Sequence, residues 1–579
     1  MKLLDALEIL REPPPPSALP FRIGLACGFN PLHFETLVRA EMRLSMPDRR
    51  IEIDIGPYGD FWGNLARLED LEKQGLDSAV VLIEWPDVDL RLGMRHVGTW
   101  TLAALAEIVE HGNTFATKLK SAVERLSVPV IIVAPTLPMP PIWFTPGWQA
   151  STFELEIRTT LAGAIAQLAQ RPNIRILNAD RLDRLSPPSN RFDAEWELLA
   201  GFPYKQSHAA VLAEMLTLLI QRPLPKKGLI TDLDGTLWRG ILGDDGIDNI
   251  SWDLDHRSHI HALYQQMLHA LSEQGVLIGV ASKNDPALVE EIFQRRDLIL
   301  PRTAIFPVEA HWQAKSDSVA RILKTWHIAA EAVVFVDDSR LELAEVSSAH
   351  PGIHCIQFPS KADSVVQVLH EIRDLFAKGF TSEEDRLRLE SIRRSPAALD
   401  SLNRGEGDID HFLELAEAEL TITFNKESVD ARAFELINKT NQFNLNGARH
   451  TESSWHSYLR RSDTVFLLAA YKDKYGPLGK IAVVAGRHAD KKLVIDIWVM
   501  SCRAFARRIE HKCLEELFAR YAAEEIEFNY APTDRNGPLT EFLAFLLGAA
   551  PRPGCCLSRD QFEARSPRTF HRVLEAVNG

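Results

Sequence analysis

The chain has 579 residues, of which 46% are hydrophobic and 25% charged, and it carries a net charge of −14. That length exceeds what one hydrophobic core holds and predicts three or four domains of roughly 150 residues each. The acidic balance excludes a general nucleic-acid binder, no apolar run approaches the ~18 residues that span a bilayer, and six cysteines without a Cys-x-x-Cys pair make neither a disulfide framework nor a zinc site. The N-terminus places Asp5 inside its only apolar stretch and lacks a small-residue cleavage site. It therefore does not read as a secretory signal, and a reducing cytoplasm fits best.

Residues 1–222 have an α/β rhythm. "FRIGLACG", "RRIEIDIG", "SAVVLIEW", "VPVIIVAP" and "NIRILNAD" are short β-branched runs, separated by helix-like stretches such as "ETLVRAEMRL". Strands alternating with helices predict a parallel sheet covered on both faces. "PLPKKG", from Pro223 to Gly228, reads as a linker, and the same rhythm restarts in a second α/β domain over 226–378. A charged helical connector is expected over 379–418. Residues 419–579 form an α+β domain, with strands at "TITFN", "TVFLLAAYKD", "GKIAVVAGR" and "KLVIDIWVMS".

The middle domain carries the chemistry. "GLITDLDGTLWRG" ends an apolar run in Asp232 and Asp234, one residue apart. Asp-Gly is a common turn, and alone it means no more than that. Two further runs end in polar residues, "VLIGVA" in Ser282 and "AVVFV" in Asp337 and Asp338, and Lys315 stands where a helix starts. In a parallel sheet the strand C-termini face the ligand crevice, so these side chains are expected to converge. Carboxylates brought together repel unless a hard cation such as Mg²⁺ sits among them. One carboxylate can then attack phosphorus and a second move protons, while a serine and a lysine hold the phosphoryl oxygens.

"DLDGT", a strand-ending serine, a lysine and "DD", in that order, resemble the haloacid dehalogenase (HAD) superfamily of phosphotransferases. The resemblance implies Asp232 as nucleophile and Asp234 as acid/base, the latter also giving a backbone carbonyl to Mg²⁺. It implies Thr236, Ser282, Lys283, Asn284 and Lys315 around the phosphoryl group, and Asp337 with Asp338 at the metal. Little chain separates the motifs, so no large cap domain is expected and the site should be open. "LWRGILGDDG", "GVASKND", "VFVDDSRLE", "INKTNQFNLNG", "SCRAFARRIE" and "YAPTDRNGPL" are similar to FkbH-type proteins. Such proteins take a glyceryl group from 1,3-bisphosphoglycerate, release phosphate and load an acyl carrier protein. Glyceryl-loading members carry a cysteine between the two aspartates; here Leu233 stands there. The resemblance thus implies a Mg²⁺-dependent phosphatase or phosphotransferase on a small phosphorylated metabolite, with carrier loading as the alternative.

The flanking domains resemble the other parts of long FkbH-type chains. The N-terminal domain looks SGNH-hydrolase-like, but its first strand ends in Cys27 rather than serine, and Lys205 stands three residues before His208 where Asp-x-x-His is needed. It is expected to be a degenerate scaffold, with Cys27 an ordinary core cysteine and His208 a surface histidine. The C-terminal domain resembles an acyl-CoA N-acyltransferase (GNAT) fold, which implies a pocket for a CoA thioester or a carrier at Asn441, Asn444, Arg503, Arg507 and Asn536. The same asparagines equally suit caps and turns.

Overall fold

The computed structural model of the protein describes residues 1–579 except 97–99, 143–144, 379–408, 427–430, 475, 502–503, 506, 534 and 576–579. Most of the expected charged connector lies outside the described residues. The chain forms two compact units, Met1–Pro223 with His450–Ser457, and Leu224–Arg449 with Tyr458–Gly579. Both are built on α/β architecture; the sheets of the strand-helix regions are parallel and the last sheet is mixed.

The first unit holds five parallel strands: β1 (Leu19–Ala26), β2 (Arg49–Ile55), β3 (Ser78–Leu82), β4 (Val130–Val133) and β5 (Ile174–Ile176). They lie in the order β2-β1-β3-β4-β5. β3 and β4 are buried along their whole length, as strands covered on both faces must be. Alternate residues serve opposite faces: Val80 and Leu82 join the core that contains Phe34 and Leu212, while Ala79 and Val81 join that of Leu65 and Ile108. The strand order reverses between β1 and β3, which opens a crevice at their carboxyl ends. Residues 450–457 complete this unit, where Glu452 pairs with the nearly buried Arg175 at 2.8 Å and Ser453 Oγ donates to the Leu76 carbonyl at 3.0 Å.

The second unit contains two sheets. The first has β6 (Gly228–Thr231), β7 (Leu277–Ser282), β8 (Ile305–Ala310), β9 (Val333–Asp337) and β10 (His354–Gln357), all parallel, in the order β10-β9-β6-β7-β8. β8 has no counterpart in the sequence reading, because Pro307 interrupts its apolar run. As the edge strand it pairs only with β7, the position where a proline is tolerated. Here the order reverses between β6 and β9.

The second sheet is mixed: β11 (Glu419–Thr423), β12 (Phe443–Asn444), β13 (Thr464–Asp473), β14 (Gly476–Ala489), β15 (Lys492–Met500), β16 (Glu525–Phe528), β17 (Cys555–Ser558) and β18 (Arg572–Glu575). β15 and β16 run parallel, joined across the helix Ile509–Tyr521, and β11 and β18 are also parallel; the other pairs are antiparallel. Among the described residues no helix is long and apolar enough to cross a membrane.

Candidate functional site

β6 is the central strand of its sheet, and its four residues are buried. The chain leaves it at Asp232, whose amide donates to the Val336 carbonyl on neighbouring β9 at 3.0 Å. That bond fixes Asp232 beside Asp337, the last residue of β9. Gly235 makes the turn that follows, at φ +68°; a Cβ there would come within 2.6 Å of Asp338 Oδ2. The turn therefore needs glycine twice over, for its left-handed backbone and for room beside Asp338. Only the short helix Leu242–Asp245 lies between β6 and the helix His259–Glu273.

Asp232, Asp337 and Asp338 each turn a carboxylate oxygen into one cluster, with the three ligand atoms within 4.8 Å of one another. Lys315, the first residue of the helix Lys315–Trp326, reaches into it, with Nζ 3.0 Å from Asp232 Oδ1 and 2.7 Å from Asp337 Oδ2. Burial works against the ammonium, but the two carboxylates outweigh it and raise the Lys315 pKa. Burial first, and then the charge of Asp232, push the carboxyls of Asp337 and Asp338 up. Ser339 N–H donates to Asp337 Oδ1 at 2.8 Å. Asp232 Oδ1 is buried and receives no hydrogen bond; its contact with Lys315 is the ion pair alone. Three hard oxygen donors with one lysine leave negative charge over, a donor set that suits a hard divalent cation.

Asp234 is placed differently. Trp238 Nε1 donates to its Oδ1 at 2.8 Å and Leu242 N–H does so at 3.2 Å, while Asn284 Nδ2 donates to its Oδ2 at 2.9 Å. Its side chain stands outside the three-carboxylate cluster. Burial raises its pKa, and the donors from Asn284 and Trp238 work in the opposite direction. Asn284 also donates to Ser282 Oγ at 3.3 Å, so one amide links the buried Ser282 to Asp234. The Thr236 hydroxyl is fully buried with no hydrogen-bond partner. Lys283 is not drawn into the cluster; its ammonium pairs with Glu342 at 2.8 Å. Leu233 is buried against Leu237, Trp238 and Leu242, and its carbonyl accepts from the amides of residues 236 to 238. Trp238 is the residue that sequence reasoning overlooked. The signal was its place four residues after Asp234 in a polar-rich turn, which an indole N–H can bridge.

The expected C-terminal pocket residues are largely committed to the backbone. Asn444 Oδ1 accepts from Asn446 and Gly447 N–H, and its amide donates to the Thr440 carbonyl at 2.9 Å. Asn536 is buried and donates to the carbonyls of Asn444 and Ala531. Asn441 accepts from the Arg449 guanidinium. Arg507 lies 3.6 Å from Asp473 and over the Tyr471 ring, and Arg503 lies outside the described residues. This is the hydrogen bonding of turns, the plainer of the two readings of that asparagine run.

In the first unit Cys27 is buried, and burial together with Asp87 pushes its thiol up. His208 departs from the expectation of a surface histidine: it is fully buried, with Nε2 3.0 Å from Thr136 Oγ1 and Nδ1 3.0 Å from Ser186 Oγ. Burial drops its pKa to about 3, so it is a neutral packing group. The helix Gln206–Gln221 is apolar enough to be covered on most of its circumference, which places a residue in its first turn inside.

The chain is thus an α/β protein with a carboxylate and lysine crevice at a topological switch point. No protein-family model and no curated protein matches the chain. Among solved structures, the chain is similar to the N-terminal part of protein BF1531 from Bacteroides fragilis, which contains a phosphatase domain and is complexed with Mg. The TM-score is 0.53 at 19% identity, covering 66% of this chain and 100% of that one, a likeness of fold. A match to an uncharacterized protein from Corynebacterium glutamicum has a TM-score of 0.19 at 20% identity, over 26% of this chain and 98% of that one, too slight to bear on the fold.

Proposed function

We propose that the protein is a Mg²⁺-dependent phosphatase or phosphotransferase of the HAD type, acting through an aspartyl-phosphate on a small phosphorylated metabolite. The observation that carries this reading is the meeting of Asp232, Asp337 and Asp338 with Lys315 at the switch point of a parallel sheet. The fold shared with a phosphatase domain that holds Mg supports it. Asp232, Asp337 and Asp338 would hold Mg²⁺, which supplies a positive charge that draws in phosphoryl oxygens and offsets their charge.

The chain's own residues do the rest. Asp232 leads the cluster and forms a new O–P bond as the bond from phosphorus to the leaving oxygen breaks. Lys315, held by two carboxylates, sits where charge spreads over the equatorial oxygens. Asp234, its carboxyl raised by burial, holds a proton for the leaving oxygen and takes one from the water that later attacks the phosphoenzyme. Trp238 and Asn284 fix its orientation. The segment between β6 and the next long helix holds only the short helix Leu242–Asp245, which supports a site open to bulky phosphate esters.

We read the first region as an SGNH-hydrolase-like scaffold over 1–222, followed by the HAD domain over 226–378, a connector over 379–418 and a GNAT-like domain over 419–579, in a cytoplasmic chain. The parallel β15–β16 pair within an otherwise largely antiparallel sheet supports the acyltransferase likeness. Loading of an acyl carrier protein stays the second reading on the resemblance alone. The place of its thiol is taken by Leu233, whose side chain lies in the core, and Cys355 sits on edge strand β10 with Sγ directed at the Leu343 carbonyl.

The test is hydrolysis of p-nitrophenyl phosphate by the full chain, with Mg²⁺ or with EDTA. Activity is expected only with the metal, and Asp232→Asn should lower kcat by about three orders of magnitude or more, since an amide cannot act as the nucleophile. A variant within a few-fold of the parent would overturn the assignment.

A further inference from the structure

The first unit contains a cavity of about 810 Å³ at the carboxyl ends of its strands. Gly28 follows β1, Tyr58 and Gly59 follow β2, Glu84 to Asp89 follow β3, and Leu137 follows β4; all line it. It therefore occupies the switch point between β1 and β3, where open parallel sheets bind ligands, and its size is that of a small-molecule site. Tyr58, Phe61, Trp62 and Trp85 give it aromatic walls.

Its charge is one-sided. Among the lining cations, Arg91 is paired with Asp89 at 2.7 Å and Glu107 at 2.8 Å, and Arg95 with Glu197 at 3.1 Å. Asp87 has no such partner among the described residues. One of its oxygens accepts the Glu84 amide at 2.8 Å; the other lies against Gly28, where a Cβ would come within 1.8 Å of it. Glu84 lies behind it, fully committed to Thr136, Leu137 and Tyr204. We propose that this cavity binds a small organic molecule whose primary ammonium group meets Asp87 while its apolar or aromatic body lies along the aromatic walls. An ammonium supplies the donors and the charge that the free oxygen of Asp87 lacks, while the walls offer the body apolar contact, since Tyr58, Trp62 and Trp85 already carry Arg95, Lys118 and Arg158 over their rings. Burial pushes Asp87 up to about 8 and Glu84 to about 7, the response of carboxyls with no ion-pair partner among the described residues. A divalent metal is the poorer occupant: among the described residues, the carboxylate cluster with metal spacing is that of Asp232, Asp337 and Asp338.

The probe is phenethylammonium, titrated into the full chain and followed by saturation-transfer NMR, with 2-phenylethanol as its uncharged counterpart. Saturable binding in the millimolar range is expected for the ammonium, with the alcohol about tenfold weaker or more. Asp87→Asn, of the same shape without the charge, should bring the ammonium down to the level of the alcohol. Tyr58→Ala, at the half-exposed rim, should weaken the binding of both probes and serves if the first variant fails to fold. Absence of saturable ammonium binding, equal binding of the alcohol, or binding unchanged in either folded variant would overturn the proposal.

Discussion

Each of the two parallel sheets opens a crevice where its strand order reverses, and each crevice holds buried carboxyl groups. In the second unit Lys315 stands between Asp232 and Asp337; in the first, Asp87 and Glu84 have no ion-pair partner among the described residues. The architecture is the same and the compensation differs. A lysine among carboxyls favours their charged form, which suits a nucleophile or a metal ligand. A carboxyl driven towards neutrality by burial waits for a ligand to charge it.

Removal of Lys315 would make the two crevices alike. Lys315→Met would leave two buried carboxylates facing each other as in the first unit. Phosphatase kcat/KM should fall by about two orders of magnitude and stability by about 3 to 5 kcal/mol, read by steady-state kinetics and denaturant melts. Mg²⁺ should restore stability to the variant more than it adds to the parent, because it replaces the lost charge.

A second experiment sharpens the contrast from the other side. The folded pKa of Asp87 is raised, to about 8 against an ordinary 3.8. Its contribution is therefore fully present below about pH 4 and is lost as pH rises towards 8. Relative to Asp87→Asn, the parent should lose up to about 1.4 kcal/mol per pH unit across that window, measured by calorimetric scans of both proteins. A flat difference would show that a neighbour already compensates Asp87.

The smallest expected effect concerns orientation. Trp238→Phe keeps the ring in the core but removes the N–H that holds Asp234. kcat should fall about tenfold with KM nearly unchanged, the cost of one lost hydrogen bond to the acid/base carboxyl.

The carboxylate and lysine crevice was legible in the sequence because its residues sit at the ends of short apolar runs, and the ends of parallel strands share one edge. The apolar runs of the first sheet likewise announced its five strands. The cavity carboxyls were not legible. "VLIEWPDVD" reads as a strand running into a turn, and the burial of Glu84 arises from Thr136 and Tyr204, which lie 52 and 120 residues away in sequence. Reading by catalytic motif fixed on Cys27 and His208, whereas the cavity is lined by other residues, Gly28 next to Cys27 among them. Trp238 escaped because a tryptophan four residues after Asp234 also reads as an ordinary core residue, and its indole works through a single hydrogen bond.

The pairing of Glu452 with Arg175 has a consequence for synthesis. The first unit takes in residues 450–457, more than two hundred positions after its own linker. At translation rates of 5–20 residues per second, those residues follow Pro223 by roughly ten to fifty seconds. Through that interval the nascent unit carries Arg175 without its carboxylate and Leu76 without its serine donor. Its final closure thus waits on the ribosome, and a slow stretch of codons between the two segments would lengthen the time it stands open to proteases and chaperones.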